Sequence, residues 1–211
     1  MIKCNVTVNG VISRAATMRS GSEGNQFISF SVKVSIPGKP GNKEVEISVS
    51  KDGMESEIPM YVIGKRIEVS GILSFRKRED KLYLNLRSES VNMTPQDGKF
   101  GIEGTLEFKG TIGKQVEEKT DRKGNTYITF PAFSAEKTGE DFAYTWVRFI
   151  RFSSQKESFL TPKSKIQAKG RLELSAYNDN IGISCRIDEL SEYHGTNADG
   201  SGQNGSDTNQ S

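Results

Sequence analysis

The chain of 211 residues repeats itself, and this repeat limits its fold more than any other feature. The segment GNQFISF at 24–30 recurs as GNTYITF at 124–130, an offset of 100 residues. Farther along, KRIEVSGIL at 65–73 recurs in looser form as SKIQAKGRL at 164–172, at an offset of 99. A nearly constant offset in separate segments indicates a tandem duplication of a unit of about 95 residues. The chain is therefore expected to fold as two copies of one small structure.

Composition marks the borders of the two units. Residues 94–98 (TPQDG) combine Pro and Gly without an apolar period, which is typical of a linker. From residue 194 onward the chain is almost entirely Gly, Asn, Ser, Asp, Gln and Thr, a composition that buries too little surface to fold. The prediction is a first domain at 1–94, a linker at 95–99, a second domain at 100–193 and a disordered tail at 194–211.

Each unit has the residue pattern of a small β-barrel. Apolar and polar residues alternate at 28–34 in the first unit and at 166–172 in the second, which predicts strands with one buried face. The stretches 52–63 and 153–160 lack this alternation and leave room for a short helix between the third and fourth strands. The order β-β-β-(α)-β-β is that of a five-stranded OB-fold barrel. We predict an all-β chain of two tandem OB-fold barrels, with a β-sandwich as the alternative.

Composition also excludes several classes of function. Cys4 and Cys185 lie far apart and in phase with apolar neighbours, so we interpret them as reduced core thiols. The single histidine, His194, stands at the border of the tail. No residues have the spacing of metal ligands, of a nucleophile and its base, or of a phosphate-binding loop, so we expect no metal, no cofactor and no enzymatic activity. No apolar run has the length of a signal peptide or a membrane span, which predicts a cytoplasmic protein without membrane contact.

Three segments resemble the bacterial family of single-stranded DNA-binding proteins. TWVRFIRF at 145–152 is similar to the family's E-W-x-R-V-V-x-F third strand, and FKGTIG at 108–113 to its first strand. GKRIEVSGIL at 64–73 is similar to its K-G-S-x-V-x-V-E-G-x-L segment. The resemblance covers most of both units and implies OB folds that bind single-stranded DNA.

The same resemblance implies roles for individual residues. Trp146 and Phe152 fall on the family's stacking aromatics, and Arg148 falls on its arginine. In the first unit, residues 76–77 take the Arg-Lys of a further R-K-W motif, and in the second unit Tyr177 takes its Trp. The first unit has no Trp, so its third strand lacks the stacking residue.

The family resemblance also bears on partners. The family places four OB barrels around one strand of DNA, and this chain carries two, so the resemblance implies a homodimer. The family recruits replication and repair enzymes through an acidic C-terminal tip ending in Pro-Phe. Residues 204–211 (NGSDTNQS) do not have that tip, so such enzymes are candidate partners without the motif that would recruit them.

Strand parity supplies a candidate interface of its own. Binding of single strands without sequence preference needs exposed aromatic rings and cations. Because Val147 and Phe149 fit the core, Trp146 and Arg148 belong to the outer face. The loop expected at 14–24 would form a further wall. Parity and resemblance together predict these nucleic-acid-binding residues: Trp146, Arg148, Phe152, Tyr177, Tyr127, Lys169, Arg171, Phe27, Arg76, Lys77, Arg78, Tyr83 and Arg87.

These residues predict binding of single-stranded DNA with little sequence preference, in replication, recombination or repair. The first unit would supply charge through residues 76–78, and the second would supply stacking through Trp146, Phe152 and Tyr177. Two alternatives stay open: a non-catalytic OB-fold scaffold that binds protein, and a single-stranded RNA-binding module of cold-shock type. Cross-strand packing is an alternative role for three of the aromatics, Phe27, Tyr83 and Tyr127.

Overall fold

The computed structural model describes residues 1–78, 81–95, 100–138, 141–153, 155–178 and 180–193. The predicted tail at 194–211 and most of the predicted linker at 95–99 lie outside the described residues. The rest of the chain is almost entirely β-strand, in one continuous twelve-stranded sheet that curls into two barrels. The all-β prediction is confirmed.

The first unit is a closed barrel of five long strands. Its elements are β1 (Ile2–Ser20), β2 (Gln26–Ile36), β3 (Gly38–Lys39), β4 (Lys43–Lys51), a 3-10 helix (Glu55–Met60), β5 (Arg66–Arg78) and β6 (Lys81–Asn92). The long strands pair in the order β1-β2-β4-β6-β5 and close from β5 back to β1. Only the β4–β6 pair in this barrel is parallel. This is the strand order of an OB fold, as the sequence predicts.

The second unit repeats this topology. Its elements are β7 (Gly101–Ile112), β8 (Glu117–Thr120), β9 (Thr126–Thr138), β10 (Asp141–Arg151), β11 (Lys165–Tyr177) and β12 (Asn180–Glu192). The barrel pairs in the order β7-β9-β10-β12-β11 and closes from β11 to β7, with β10 and β12 parallel. The short helix predicted between the third and fourth strands is present in the first unit, whereas described residues 155–160 of the second form turns.

Alternate residues of every long strand point inward. Together they form one apolar core that extends through the two barrels. The largest fully buried side chains in the second unit are Phe108, Phe130 and Phe149. The ring centroid of Phe149 lies 4.8 Å from that of Phe108 and 5.4 Å from that of Phe130. Cys4 and Cys185 are free and buried, and burial raises the pKa of each thiol to about 12. Both therefore remain protonated and inert at neutral pH, as structural cysteines do.

The duplication also preserves details of backbone and charge. Gly71 and Gly170 stand at equivalent β-bulges, where a Cβ atom would lie only 2.1 and 2.0 Å from the carbonyl oxygen of the neighbouring strand. At the end of each third strand a cation reaches into the following segment. In the first unit Lys51 Nζ lies 2.6 Å from Glu57 Oε2, and its hydrogen bond lowers the pKa of that carboxyl. Arg151 and Glu157, at an offset of 100, form the same pair in the second unit at 3.1 Å.

The units join through an antiparallel ladder between β1 and β7. Cys4 pairs with Leu106 and Val6 pairs with Gly104, so exchanging the two units reproduces the same partners at an offset of 100. The ladder therefore lies on a pseudo-two-fold axis. A Cβ atom at Gly104 would stand 2.2 Å from the carbonyl oxygen of Asn5, which shows how closely the backbones approach. In a separate barrel the first strand would present an open edge. Here β1 and β7 cover each other's edge within one chain.

One sequence expectation about this barrel is wrong. Residues 14–24 were expected to form a loop, but β1 continues to Ser20 and pairs with β2 as far as Gln26. The turn itself is confined to residues 21–25, where Gly24 adopts a positive φ of 80°. Irregular register after Ile12 lets this long strand bend around the barrel, so residues 14–20 belong to a strand and not to a loop.

Candidate nucleic-acid interface

Strand β10 carries a row of exposed aromatic side chains on the outside of the second barrel. Val147 and Phe149 are buried, so the alternate side chains of the strand, at its even-numbered positions, point to solvent. Phe142, Tyr144 and Trp146 are 57%, 51% and 52% exposed. Aromatic rings contribute most to folding when they are buried, so three half-exposed rings on one strand face form a surface suited to binding. We call Phe142, Tyr144 and Trp146 the aromatic ladder.

The neighbouring strands hold the ladder in place. Phe133 on β9 lies directly across from Trp146, and its ring centroid is 5.0 Å from the indole and 5.5 Å from the ring of Tyr144. At Gly113 a Cβ atom would lie 3.1 Å from the Trp146 ring, so the absence of a side chain there makes room for the indole. Phe133 thus packs against two rings of the ladder from the neighbouring strand, while the rings stay half-exposed, as a stacking surface requires.

Arg148 continues the row toward the end of β10. Its Nε donates a hydrogen bond to Thr129 Oγ1 at 3.3 Å, which orients the guanidinium beside the ladder. Glu117 on β8 stands near this group. Its pKa is lowered chiefly by a hydrogen bond from Lys119, with a smaller contribution from the charge of Arg148. The site therefore has a cation next to the stacking rings and an ionised acid at its border.

A second aromatic group lies where β10 ends. The ring centroids of Phe152 and Tyr127 are 5.5 Å apart, and the guanidinium of Arg186 on β12 stands 4.6 Å above the Phe152 ring. Phe152 is exposed, whereas Tyr127 is half-buried. The cross-strand packing considered for Tyr127 is thus present, and the Phe152 ring stays accessible to solvent.

The hairpin of β5 and β6 in the first unit reaches across to this surface. Lys77 and Leu82, which pair across the hairpin, line a cleft of about 360 Å³ together with Tyr144 and Trp146 of β10 and Ile181 of β12. We call this space the inter-unit cleft. Lys77 has no ion-pair partner within the described ranges, so its charge is available to a ligand.

Strand parity places the three cations at 76–78, which the sequence predicts as one group, on two different faces of the hairpin. The three cations belong to the end of β5, so successive side chains point to opposite sides. Lys77 faces the cleft with Leu82, whereas Arg76 pairs across from Tyr83 on the other face. Arg78 shares the face of Arg76. The structure therefore brings one of the three cations to the aromatic ladder.

The remaining predicted residues are dispersed over both barrels. Tyr177 is exposed at the end of β11, where it pairs with Lys39 of the first unit. Lys169 lies on β11 with its Nζ atom 3.7 Å from Glu107, and Arg171 is exposed on the same strand. Phe27 is half-buried on β2, and on β6 Arg87 stands 4.0 Å from Asp52. These five residues do not converge on the ladder.

Sequence reasoning missed four residues of this surface: Phe133, Phe142, Tyr144 and Arg186. The signal for two of them was present, because FAYTW at 142–146 alternates aromatic and small residues with the period of a strand. The segment that resembles the family begins only at residue 145, so it does not include these two residues. Phe133 and Arg186 become visible only when strand pairing places β9 and β12 beside β10.

Within the described ranges, no three His, Cys, Asp or Glu side chains stand together as metal ligands would. The described part of the chain also contains no helix of the length and apolarity needed to cross a bilayer.

The fold and the exposed ladder define a tandem OB-fold protein with a potential ligand surface on its second barrel. Solved structures have the same fold. The wild-type single-stranded DNA binding protein from Thermus aquaticus superposes with a TM-score of 0.50 at 15% identity, over 93% of this chain and 95% of that chain. A deletion variant of that protein gives 0.51 at 16% identity, over 92% and 95%. No protein-family model and no curated protein matches the sequence.

Proposed function

We propose that the protein binds single-stranded DNA with little sequence preference, through the outer face of its second barrel. The aromatic ladder carries this proposal. Strands two and three of an OB barrel form the face that holds oligonucleotides, and β9 and β10 are those strands in the second unit. Rings exposed at alternate residues of one strand offer successive bases a flat surface, and every base can stack regardless of its identity.

Cations beside the ladder suit the phosphate backbone. Arg148 continues the row of β10, Arg186 stands over Phe152, and Lys77 enters from the first unit. A strand that follows β10 would therefore meet rings on one side and positive charge along its length. Arg76 and Arg78 point to the other face of their hairpin, so we leave them out of this path. The net charge of the chain is only +2, so this local arrangement and not the overall charge supports a polyanionic ligand.

The Thermus proteins add support of a general kind. They are named for binding single-stranded DNA, and their fold extends over nearly the whole of this chain. Since a fold can serve several functions, it is the ladder and not the likeness that favours a nucleic-acid interface over a protein-binding scaffold.

The single Trp provides the test. Because Trp146 is the only tryptophan and sits half-exposed in the ladder, stacking of a base should quench the fluorescence of the protein. We expect a dT oligomer to quench it saturably and with an affinity that falls steeply with salt, and a duplex of equal length to bind far more weakly. Equal affinity for duplex and single strand at moderate salt would contradict the proposal. Full competition by an equimolar rU oligomer would favour the RNA-binding alternative, and absence of quenching would favour the scaffold.

The proposal extends to assembly and process. A homodimer would bring four barrels to one strand of DNA, and light scattering at micromolar concentration tests it. A clean monomer would exclude the homodimer without affecting the ladder. We further propose that the protein acts in replication, recombination or repair, because all of these processes need single-strand binding.

A further inference from the structure

The inter-unit cleft has a counterpart across the pseudo-two-fold axis, and that counterpart is filled. There the hairpin of β11 and β12 approaches the first unit, and the segment after β2 folds onto it. The amide of Ala176 donates a hydrogen bond to the carbonyl of Pro37 at 2.8 Å, and β3 pairs with the end of β11. Lys43 Nζ donates to the carbonyl of Asn178 at 2.7 Å. The two segments are thus in direct hydrogen-bonded contact where the inter-unit cleft stands on the other side.

Sequence explains why the two sides differ. Residues 37–41 read PGKPG, and the two prolines interrupt the β2–β4 hairpin so that the segment leaves the sheet. A Cβ atom at Gly38 would lie 2.6 Å from the carbonyl oxygen of Gly41 and 3.1 Å from that of Ala176, so glycine permits the close contact with β11. The equivalent residues 137–141 read KTGED, and β9 continues through Thr138. The strands of the second unit stay paired as far as Thr138 and Asp141, and among the described residues nothing fills their cleft.

The open cleft has the chemistry of a nucleotide site. Aromatic and aliphatic side chains line it together, which suits the faces of a base. Two cations, Lys77 and Arg148, also line it, which suits the flanking phosphates. A volume of about 360 Å³ lies within the usual range for sites that hold small ligands, roughly 300 to 1,000 Å³. The residues that make these contacts possible are Tyr144, Trp146, Leu82, Ile181, Lys77 and Arg148.

We propose that the inter-unit cleft holds one nucleotide of the bound strand, its base between Trp146 and Leu82 and a phosphate at Lys77. This inference rests on the proposed function and adds a subsite that neither barrel has alone. It gives the tandem arrangement a role in binding, because the first unit completes a site whose stacking residues belong to the second. It also makes the two sides of the pseudo-two-fold axis unequal, since the strand can enter on one side only.

Thiol protection tests this placement in the full chain. Both native thiols are buried and their pKa values are raised to about 12, so an introduced surface thiol reacts alone with a maleimide. Lys77→Cys places the probe in the cleft. Arg76→Cys is the matched control, because it removes one cation from the adjacent position of the same strand but faces away. Asn180→Cys places a second probe on the β12 side of the cleft.

With a saturating dT oligomer we expect labelling of the Lys77→Cys and Asn180→Cys variants to slow by at least about tenfold, and labelling of Arg76→Cys to change by less than about twofold. Quenching of Trp146 in the same samples reports whether the strand is bound. Quenching without protection of either cleft thiol overturns the inference and leaves the proposed function standing. Equal protection of all three thiols also overturns it, because the strand would then cover the hairpin without preference. Absence of quenching overturns the proposed function itself, and the inference with it.

Discussion

The outer faces of the two barrels have the same backbone and opposite chemistry. Strand pairing is at equivalent register, so each residue on β2 and β4 has a counterpart 100 positions later on β9 and β10. The first unit has charged or polar residues where the second has the ladder and its support: Lys33 against Phe133, Asn42 against Phe142, Glu44 against Tyr144, and Glu46 against Trp146.

The charges of the first unit neutralise each other. Lys33 Nζ lies 3.1 Å from Glu44 Oε2, and Arg14 Nη2 lies 3.1 Å from Glu46 Oε1. Ser13 also donates a hydrogen bond to Glu46 at 3.1 Å, and its counterpart in the second unit is Gly113, which makes room for the indole. The comparison shows that a duplicated barrel can keep its core while a few surface residues change the chemistry of one face. Under the proposed function, the first unit would contribute to binding through its hairpin and not through its sheet face.

The strongest test of this difference removes the whole ladder. Phe142→Ala, Tyr144→Ala and Trp146→Ala together should weaken dT binding by at least about 100-fold, since each stacked base contributes ~1–3 kcal/mol. Fluorescence anisotropy of a labelled oligomer measures this without the Trp. The matched control changes the counterparts, Asn42, Glu44 and Glu46, to Ala. It should leave affinity unchanged or slightly improved, because no ring is lost and two acids are removed. A control that binds as poorly as the triple variant would show that the two faces do not differ in function.

A single change sharpens the comparison. Trp146→Ala should cost ~1–3 kcal/mol of binding free energy, or about 5- to 150-fold in affinity, as expected for one stacking platform. Trp146→Phe should retain most of the affinity because it keeps a flat ring over Phe133. The unfolding midpoint of the Trp146→Phe variant should match that of the parent protein, since the indole is half-exposed. If Trp146→Phe binds as weakly as Trp146→Ala, the indole acts by something other than stacking.

Charge contributes less than stacking, and the two units should differ here too. Arg148→Ala should lower the salt slope, the change in log affinity per unit of log salt, by about 0.7, as expected for one phosphate contact on a single strand. Arg14→Ala is the control in the first unit, because its guanidinium is already paired with Glu46. It should leave the slope unchanged. A loss of slope in the Arg14→Ala variant alone would move the phosphate path to the first unit.

Much of this arrangement could be predicted from the sequence, because the relevant signals are local. The duplication, the strand alternation and the outward direction of Trp146 and Arg148 all follow from spacing along the chain. The sequence leaves room for a short helix in both units, and among the described residues only Glu55–Met60 of the first unit form one. The prediction of a loop at 14–24 is wrong because bulges allow β1 to continue as a strand where the alternation of apolar and polar residues becomes irregular.

Features that depend on pairing between distant segments could not be predicted. Residues 76–78 form one positive run in the sequence, but strand parity and the approach of the second barrel select Lys77. The ion pairs that neutralise Glu44 and Glu46 join residues on three different strands. The filled side of the axis depends on β3 meeting β11, which are more than 130 residues apart. Such contacts arise from the closed topology of the barrels and leave no periodic trace in the sequence.

The smallest expected effect concerns the acid at the border of the ladder. Glu117 is ionised and stands near Arg148, so its charge opposes an approaching phosphate. Glu117→Gln should therefore tighten dT binding at neutral pH by about 1.5- to 5-fold, the size of effect expected for one exposed charge. Glu118→Gln, at the next residue of the same strand, removes an equal charge with its side chain on the other side and should have a smaller effect.

The pH dependence of this effect follows from the direction of the pKa shift. Because the hydrogen bond from Lys119 lowers the pKa of Glu117, the carboxylate keeps its charge to a lower pH than an ordinary glutamate, whose pKa is 4.5. The repulsion is thus fully present at neutral pH and disappears only as pH falls through the lowered pKa. The advantage of the Glu117→Gln variant should persist through pH 5 and shrink at still lower pH, as anisotropy titrations at several pH values would show. An advantage that vanishes already near pH 6 would mean that another group, and not Glu117, supplies the negative charge beside Arg148.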